Sequence, residues 1–308
     1  MVRSFVRYFG LPTVILLPLL IYGIGSSRHG DPGIWVLGMS ALAMAVLIWW
    51  ERLLPYRKEW QPQRSDLMVD VHYLVWLSVL FHDGLGALVG MLMVKVVGTK
   101  SPWATVWPRE WPTWLQILVI ILTADFMRYW VHRALHRIPL LWRAHAPHHA
   151  PVKLYMMNSV RFHWLELSLQ YLIYGLPFGL LGVEPRIFGF WALIHVLFGL
   201  QQHANIDFRA GPLSRWFMTP EVHRWHHARQ GPGGHSNLAL ATCLWDRLFG
   251  TYYCPKGPAP DELGIAGGNP YPQGFLAQMK QPFMSVRGEP EDLKNQRRPG
   301  ESPATSSR

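Results

Sequence analysis

Apolar residues arrive in this chain in blocks, and the length of those blocks restricts the fold more than any other feature. Six stand out, at residues 2–24, 34–50, 67–97, 115–131, 165–181 and 187–200. All but the last reach the length of roughly 17 residues at which a helix begins to cross a bilayer's hydrocarbon core. Within that core each backbone N–H and C=O must be satisfied by the chain itself, which leaves helices as the solution. The expected fold class is therefore all-α. It is a polytopic membrane protein of about six apolar helical segments, with a histidine-rich helical cap on the cytoplasmic side.

The ends of the blocks set the expected topology. Residues 2–24 open with Arg3 and Arg7 and resemble a signal sequence, but no small-residue cleavage site follows, so a retained first span is expected. Arg52, Arg57, Lys58 and Arg64 follow the second block and place that loop, and with it the N-terminus, in the cytoplasm. Residues 67–97 read as one tilted span or as a hairpin broken near Asp83. The single span is favoured, because the next loop carries only Lys100 and Arg109. Trp103, Trp107, Trp111 and Trp114 in that loop suit headgroup depth. The turn at Gly182-Val183-Glu184-Pro185 then joins an outgoing and a returning span. On this path every histidine cluster lies on the cytoplasmic face.

Only 16% of residues are charged, against about a quarter in soluble domains, and mean hydropathy is +0.08. The net charge of +10 is spread beside apolar blocks rather than gathered in a basic arm. That suits anionic headgroups and argues against a nucleic-acid partner. Cys243 and Cys254 make no disulfide framework and fit a reducing compartment. Three regions follow: a membrane anchor at 1–64, a catalytic region at 65–254, and a polar Pro/Gly-rich tail at 255–308 that is expected to be largely disordered.

The chemistry lies in the histidines. His132 and His136 are four apart and share a helix face. His145, His148 and His149 form H-x-x-H-H interleaved with Pro147 and Pro151, which predicts one turn with an extended exit. His223, His226 and His227 repeat the pattern on a short helix, with Thr219 placed to cap it and Pro220 at its first position. Eight such histidines are twice what one tetrahedral zinc uses, so they argue for two metals with open positions. A nitrogen shell without thiolate suits iron and oxygen chemistry. His203, at the end of a returning span, is a ninth ligand candidate. Asp125, His163 and Asn237 are the candidate catalytic residues. Asp125 either orients a histidine or pairs with Arg128. His163 could serve as a ligand or behind one, and His195 is more readily a packed residue or pocket wall. Trp191 is a candidate pocket wall in which core packing competes. His235 has no partner pattern and reads as structural. Arg143, Arg161, Arg224 and Arg229 could meet a headgroup or redox partner, or simply snorkel.

The ordered series D-F-M-R-Y-W-V-H-R-A-L-H, L-W-R-A-H-A-P-H-H, N-S-V-R-F-H-W-L-E, Q-H-A-N-I-D, T-P-E-V-H-R-W-H-H and W-D-R-L-F-G-T-Y spans Asp125 to Tyr252. It resembles the sterol desaturase/fatty acid hydroxylase superfamily of membrane di-iron enzymes, nearest to its bacterial sterol-desaturase-like and alkylglycerol monooxygenase branches. The resemblance implies two Fe ions and O2 as co-substrate, oxidising an unactivated C–H of a lipid taken from the bilayer. Some members carry a ligand one turn before the position of His203, where this chain has Gly199. A tenth nitrogen is then left to His163 first and His195 second. No fused haem-domain motif is present, which implies a separate electron-transfer protein or reductase. The competing reading is a histidine-rich membrane metal-binding or transport protein without oxygen chemistry. A zinc metalloprotease lacks its H-E-x-x-H.

Overall fold

The computed structural model describes residues 1–28, 30–84, 86, 102–265 and 271–284. Among these residues the chain is helical, and the only β pairing is three isolated bridges. The helices are α1 Val2–Arg28, α2 Pro32–Leu53, α3 Arg64–His72, α4 Thr113–Leu135, α5 Pro139–His149, α6 Trp164–Gln170, α7 Leu176–Leu180, α8 Pro185–His203, α9 Pro220–His226, α10 Leu244–Leu248 and α11 Phe275–Lys280. Three of them, α1, α2 and α4, are long and apolar enough to cross a membrane.

The centre of the bundle is the meeting of α1, α2 and α8. Val6, Val14 and Tyr22 pack with Ala43, Leu47 and Trp50 and with Leu193 and Leu197. Contact is close enough to require glycine at 189, where a Cβ would lie 2.0 Å from the Tyr22 hydroxyl. That hydroxyl donates to the Arg186 carbonyl at 2.9 Å. The opposite faces expose Leu16, Leu17, Leu20, Ile34 and Leu37, as a lipid-facing surface does. Helix α4 leans on a second apolar group, Trp107, Phe178 and Ile187. Trp107 is buried there and donates to Gln116, while Trp103, Trp111 and Trp114 stay exposed. Three of the four belt tryptophans thus face outward and one is core.

The two ends of the bundle are defined by contacts between distant residues. At one end Arg186 reaches the Gly23 carbonyl and Arg109 the Gly182 carbonyl. At the other, Arg7 pairs with Asp207 at 2.6 Å, and Glu51 accepts from the backbone of Met156 and Asn205. The C-terminal ends of α2, α4 and α8 share this second end, which is where His132 and His203 lie.

Several segments differ from their expected form. The 67–97 block begins as α3 and continues as a π-helical run, Tyr73–Asp83; residues 87–101, which decide between one span and a hairpin, lie outside the described residues. Block 165–181 is α6 and α7 joined by a π turn, Tyr171–Gly175, and Gly182 makes the turn into α8 at φ +77°. Packed chain extends past residue 254. Tyr73 donates to Gln278 of α11 at 2.7 Å, and Arg57 reaches the Ala259 carbonyl. Residues 285–308, where disorder is expected, lie outside the described residues.

Candidate metal centre

Four helices converge on the histidine layer. Helix α4 ends in His132 and His136. Helix α5 carries His145, His148 and His149, and is a full helix despite Pro147. The single turn expected around 145–149 is too short because Pro139 opens the helix at its first position, where a missing N–H costs nothing. Ala150 keeps helical dihedrals even before Pro151. Helix α8 ends in His203. Helix α9 starts at Pro220 as expected, but the Thr219 hydroxyl lies 2.9 Å from the Ser214 hydroxyl and does not cap the helix. Arg224 of α9 donates to the carbonyls of Ala204 and Ile206, tying this helix to the chain just after His203.

The nine histidines form two groups, His132, His136, His145, His149 and His226 in one, His148, His203, His223 and His227 in the other. Within each group the ligand atoms lie within 4.8 Å of one another, and no ring is more than 4% exposed. Each H-x-x-H-H divides between the groups. Residues four apart share a helix face, while the middle histidine points about 60° away from the first. His145 and His149 therefore go to the first group and His148 to the second. His223 and His227 go to the second and His226 to the first. The groups touch through His149 and His227, stacked at 4.4 Å.

Four of the nine rings are held in one tautomer by their outer nitrogens. Nδ1 of His132 donates to the Leu238 carbonyl, that of His226 to the Ser236 carbonyl, that of His145 to Glu166 Oε2 at 2.9 Å, and that of His203 to Asn158 Oδ1 at 2.8 Å. With the proton on Nδ1, each Nε2 is a bare lone pair. Yet His132 Nε2 and His145 Nε2 face each other at 3.1 Å, and His226 Nε2 is buried without a partner. Lone pairs aimed at one another inside a protein are unfavourable unless a cation lies between them. The spacing is that of imidazoles sharing an ion at about 2.1 Å. The residues therefore fit metal. Burial, then the charge of neighbouring histidines, holds His148, His149 and His227 well below the ordinary imidazole value; burial does the same for His223 and His226, with Arg128 among the charges acting on them. All five are thereby kept in the neutral form that ligates.

The family description "Fatty acid hydroxylase" matches residues 117–251, the stretch from α4 to just beyond α10. An ornithine lipid hydroxylase, OlsE, of Rhizobium tropici is 32% identical over 263 residues, covering 81% of this chain and 76% of that protein. The chain belongs to the fatty acid hydroxylase family. Within this family it is also similar to the alkylglycerol monooxygenase of Xenopus tropicalis, 29% identical over 49% of this chain, though that match spans only 32% of the relative. Sphinganine C4-monooxygenase 2 of Arabidopsis thaliana is 26% identical over 57% of this chain and 69% of its own. No solved structure matches the chain. Like its relatives, this fatty acid hydroxylase family member is a membrane-associated lipid oxygenase, an oxidoreductase whose buried histidines suit metal.

The other expected site residues are placed elsewhere. His163 joins neither group: it caps α6 by accepting from the Leu165 N–H, and its Nε2 donates to the Met279 carbonyl. His195 is also outside both groups, packed at 5.8 Å from Tyr174 and Trp191. Neither supplies a tenth nitrogen to these groups. Asp125 contacts neither a histidine nor Arg128 as a partner. Its carboxylate accepts from the N–H groups of Leu240, Ala241 and Thr242 and from the Thr242 hydroxyl. Asn237 touches no ligand either. It stands at φ +58° with its side chain bonded to Val222 and Tyr253, between the two carbonyls that hold His226 and His132. Both residues shape the 236–242 loop, and through it the rings. Of the expected surface arginines, Arg161 is buried against Asp70 and Arg224 lies over Tyr56 at 3.9 Å.

Glu166, Asn158 and the carbonyls of Ser236 and Leu238 are the orienting groups that the sequence reading did not single out. A signal existed for Glu166, a carboxylate at the start of an apolar block, where an ionisable residue calls for a partner. His235, read as structural, has its ring 5.9 Å from that of His136.

Proposed function

We propose that this protein hydroxylates an unactivated C–H bond of a polar membrane lipid, using O2 at two irons held by the nine histidines. The observation that carries this reading is the division of buried, neutral imidazoles into two adjoining groups whose Nε2 atoms face one another. His132, His136, His145, His149 and His226 would hold one iron, and His148, His203, His223 and His227 the other. When bound, the iron pair would supply the O2-derived oxidant that removes hydrogen from the substrate. The chain's own part is to fix the rings through Glu166, Asn158 and the 236–242 loop, and to exclude bulk water by burying every ligand. The relatives named as hydroxylases and monooxygenases favour oxygen insertion over desaturation, and the ornithine lipid hydroxylase favours a headgroup-bearing lipid. The histidine layer faces the cytoplasm in a bundle of about six apolar segments, and electrons arrive from a separate redox protein there. A transport role fits less well, because ion ligands strung along a span would serve it, whereas these gather at one end of the bundle.

The test is lipid profiling of cells with and without the gene under heavy-oxygen gas. One lipid species should gain a single labelled oxygen only with the intact protein. His136→Ala and His226→Ala should abolish the product while leaving the amount of membrane-inserted protein unchanged. Full activity in either variant, or a product oxygen drawn from water, overturns the proposal.

A further inference from the structure

Arg128 stands on α4 one turn before His132 and is 5% exposed. Its Nε and Nη1 have no hydrogen-bond partner, and none of the described ion pairs includes it. The nearest candidate on its own helix, Asp125, cannot serve. An ionised carboxylate offers about four lone-pair sites, and all four acceptances at Asp125 go to the 240–242 loop. The guanidinium charge also reaches His223 and His226, so it adds positive charge beside a centre that would itself be cationic. A buried guanidinium without an ion-pair partner costs several kcal/mol, and two of its donor groups, Nε and Nη1, are left unused here.

The guanidinium lines a small cavity on the membrane side of the histidine layer. Ile121 and Ala124 of α4, Trp191, Ile194 and His195 of α8, and Leu240 of the loop complete most of its wall. Its volume is about 10 Å³, room for the centre of about one water-sized group. Apart from Asp125, Arg128 and His195 the wall is apolar. The cavity lies between α4 and α8, so a group carried on a lipid chain reaches it from the bilayer, whereas a free anion must cross an apolar wall. Tyr174, also buried, lies beside the guanidinium.

We propose that Arg128 is a substrate-positioning residue that donates to a carbonyl-class oxygen of the lipid, an ester, amide or carboxylate, in this cavity. This rests on the lipid-oxygenase reading above. The C–H attacked then lies within a few bonds of an oxygenated linkage, because the anchor is only one helical turn from His132. A chain held at that oxygen presents one stretch of carbons to the metal centre, which sets the position of oxidation.

The test uses the full-length protein, metal-free in lipid nanodiscs. Its probes are a long-chain acyl amide brominated beside the carbonyl and a brominated alkane of equal length. Bromine quenches nearby indole, and Trp191→Phe identifies the share of quenching that comes from the cavity wall. Arg128→Met should weaken binding of the amide about tenfold or more while leaving the alkane unchanged, and Arg128→Lys should recover part of the loss. Inorganic phosphate should not compete with the amide. Thermal melting of Arg128→Met should match or exceed the wild type, since an unpaired buried charge has been removed. Metal-loaded Arg128→Met should spread oxidation over several chain positions. Amide binding unchanged in Arg128→Met, equal loss of amide and alkane, displacement by phosphate, or a lowered melting temperature would each overturn the proposal. Because binding is read without metal, absence of oxidation by the wild type would sink the oxygenase reading and leave this result standing.

Discussion

Glu166 offers a sharp test of the proposed metal centre, because it is buried, touches one of the nine grouped histidines, and can be changed in two graded steps. Its Oε2 accepts from His145 Nδ1, and its Oε1 accepts from Gln170 Nε2 at 2.8 Å. In Glu166→Gln the amide still offers one acceptor. If that oxygen turns to His145, the new NH2 faces Gln170, whose own amide can flip to accept it. The bond to His145 survives and only its charge assistance is lost. In Glu166→Ala the Nδ1–H of a ring that is 0% exposed has no acceptor, and the ring is free to change tautomer or turn. Loss of an outer partner of a metal-bound histidine typically costs 10–100-fold in affinity. The glutamine variant should fall near the lower end, about 1.4 kcal/mol, and the alanine variant near the upper, about 2.7 kcal/mol. Both losses should fall on the ion held with His132, His136, His149 and His226. Titration with a graded chelator, following metal per protein, should show one ion leaving early and the other at the wild-type concentration. Wild-type retention of both ions in Glu166→Ala would refute the role of Glu166, and loss of both ions in step would refute the division of the histidines into two groups.

Three further outcomes follow from the same geometry. Asn237→Val places a β-branched residue at φ +58° and removes three side-chain hydrogen bonds, so thermal unfolding should show a loss of about 2–4 kcal/mol; Asn237→Gly, which restores the backbone freedom alone, should fall between it and the wild type. Gly189→Leu forces Tyr22 away from the Arg186 carbonyl and should lower the melting temperature, with Tyr22→Ala in the same chain giving partial rescue; a melt equal to the wild type would contradict the close α1–α8 approach. Burial depresses the pKa of His148, His149, His223, His226 and His227, so between the depressed value and about 6.5 the unfolded chain binds more protons than the folded one. Stability of the metal-free protein should thus be full above about pH 6.5 and fall as pH drops through that window, with metal release in the same direction; melts that stay level on acidification would contradict it.

Eight of the nine grouped histidines were legible because ligation needs imidazoles on one helix face, and spacings of three and four record that directly; His203 was legible from its place at the end of a span. Their partition was harder to see. It depends on how α5 and α9 face each other, which the sequence of neither helix contains. His163 shows the limit of reading a residue type for a role: a histidine just before a helix can satisfy a backbone N–H with its own ring nitrogen, as an Asp or Ser would. Asp125 shows another. Its four acceptances come from residues more than a hundred positions away, and local spacing offered only Arg128 and the histidines as partners. The bundle's two ends were foreseeable from basic residues and turns, while the packing of α11 against Tyr73 was not, because Phe275–Lys280 lies in a stretch whose overall composition is polar.

The crossing of ligands between the groups bears on how the centre assembles. Each H-x-x-H-H gives two rings to one group and one to the other, in opposite senses for α5 and α9. Neither helix can therefore complete one group without also placing a ring in the second. The sharing is reinforced by the 236–242 loop, whose Ser236 and Leu238 carbonyls hold His226 and His132, two rings of the same group that come from helices far apart in the chain. Asp125 anchors that loop from within α4, on the same face as His132 and two turns before it, so the loop is fixed to the same rigid element that carries the histidine it orients. The first group is thus held by α4, α5, α9 and the loop, and the second draws α8 in through His203. Precision in the histidine layer is then a property of the bundle end as a whole, which is why its orienting residues are spread from Asp125 to Asp246, whose carboxylate accepts from the N–H groups of Leu238 and Ala239, rather than gathered near any one histidine motif.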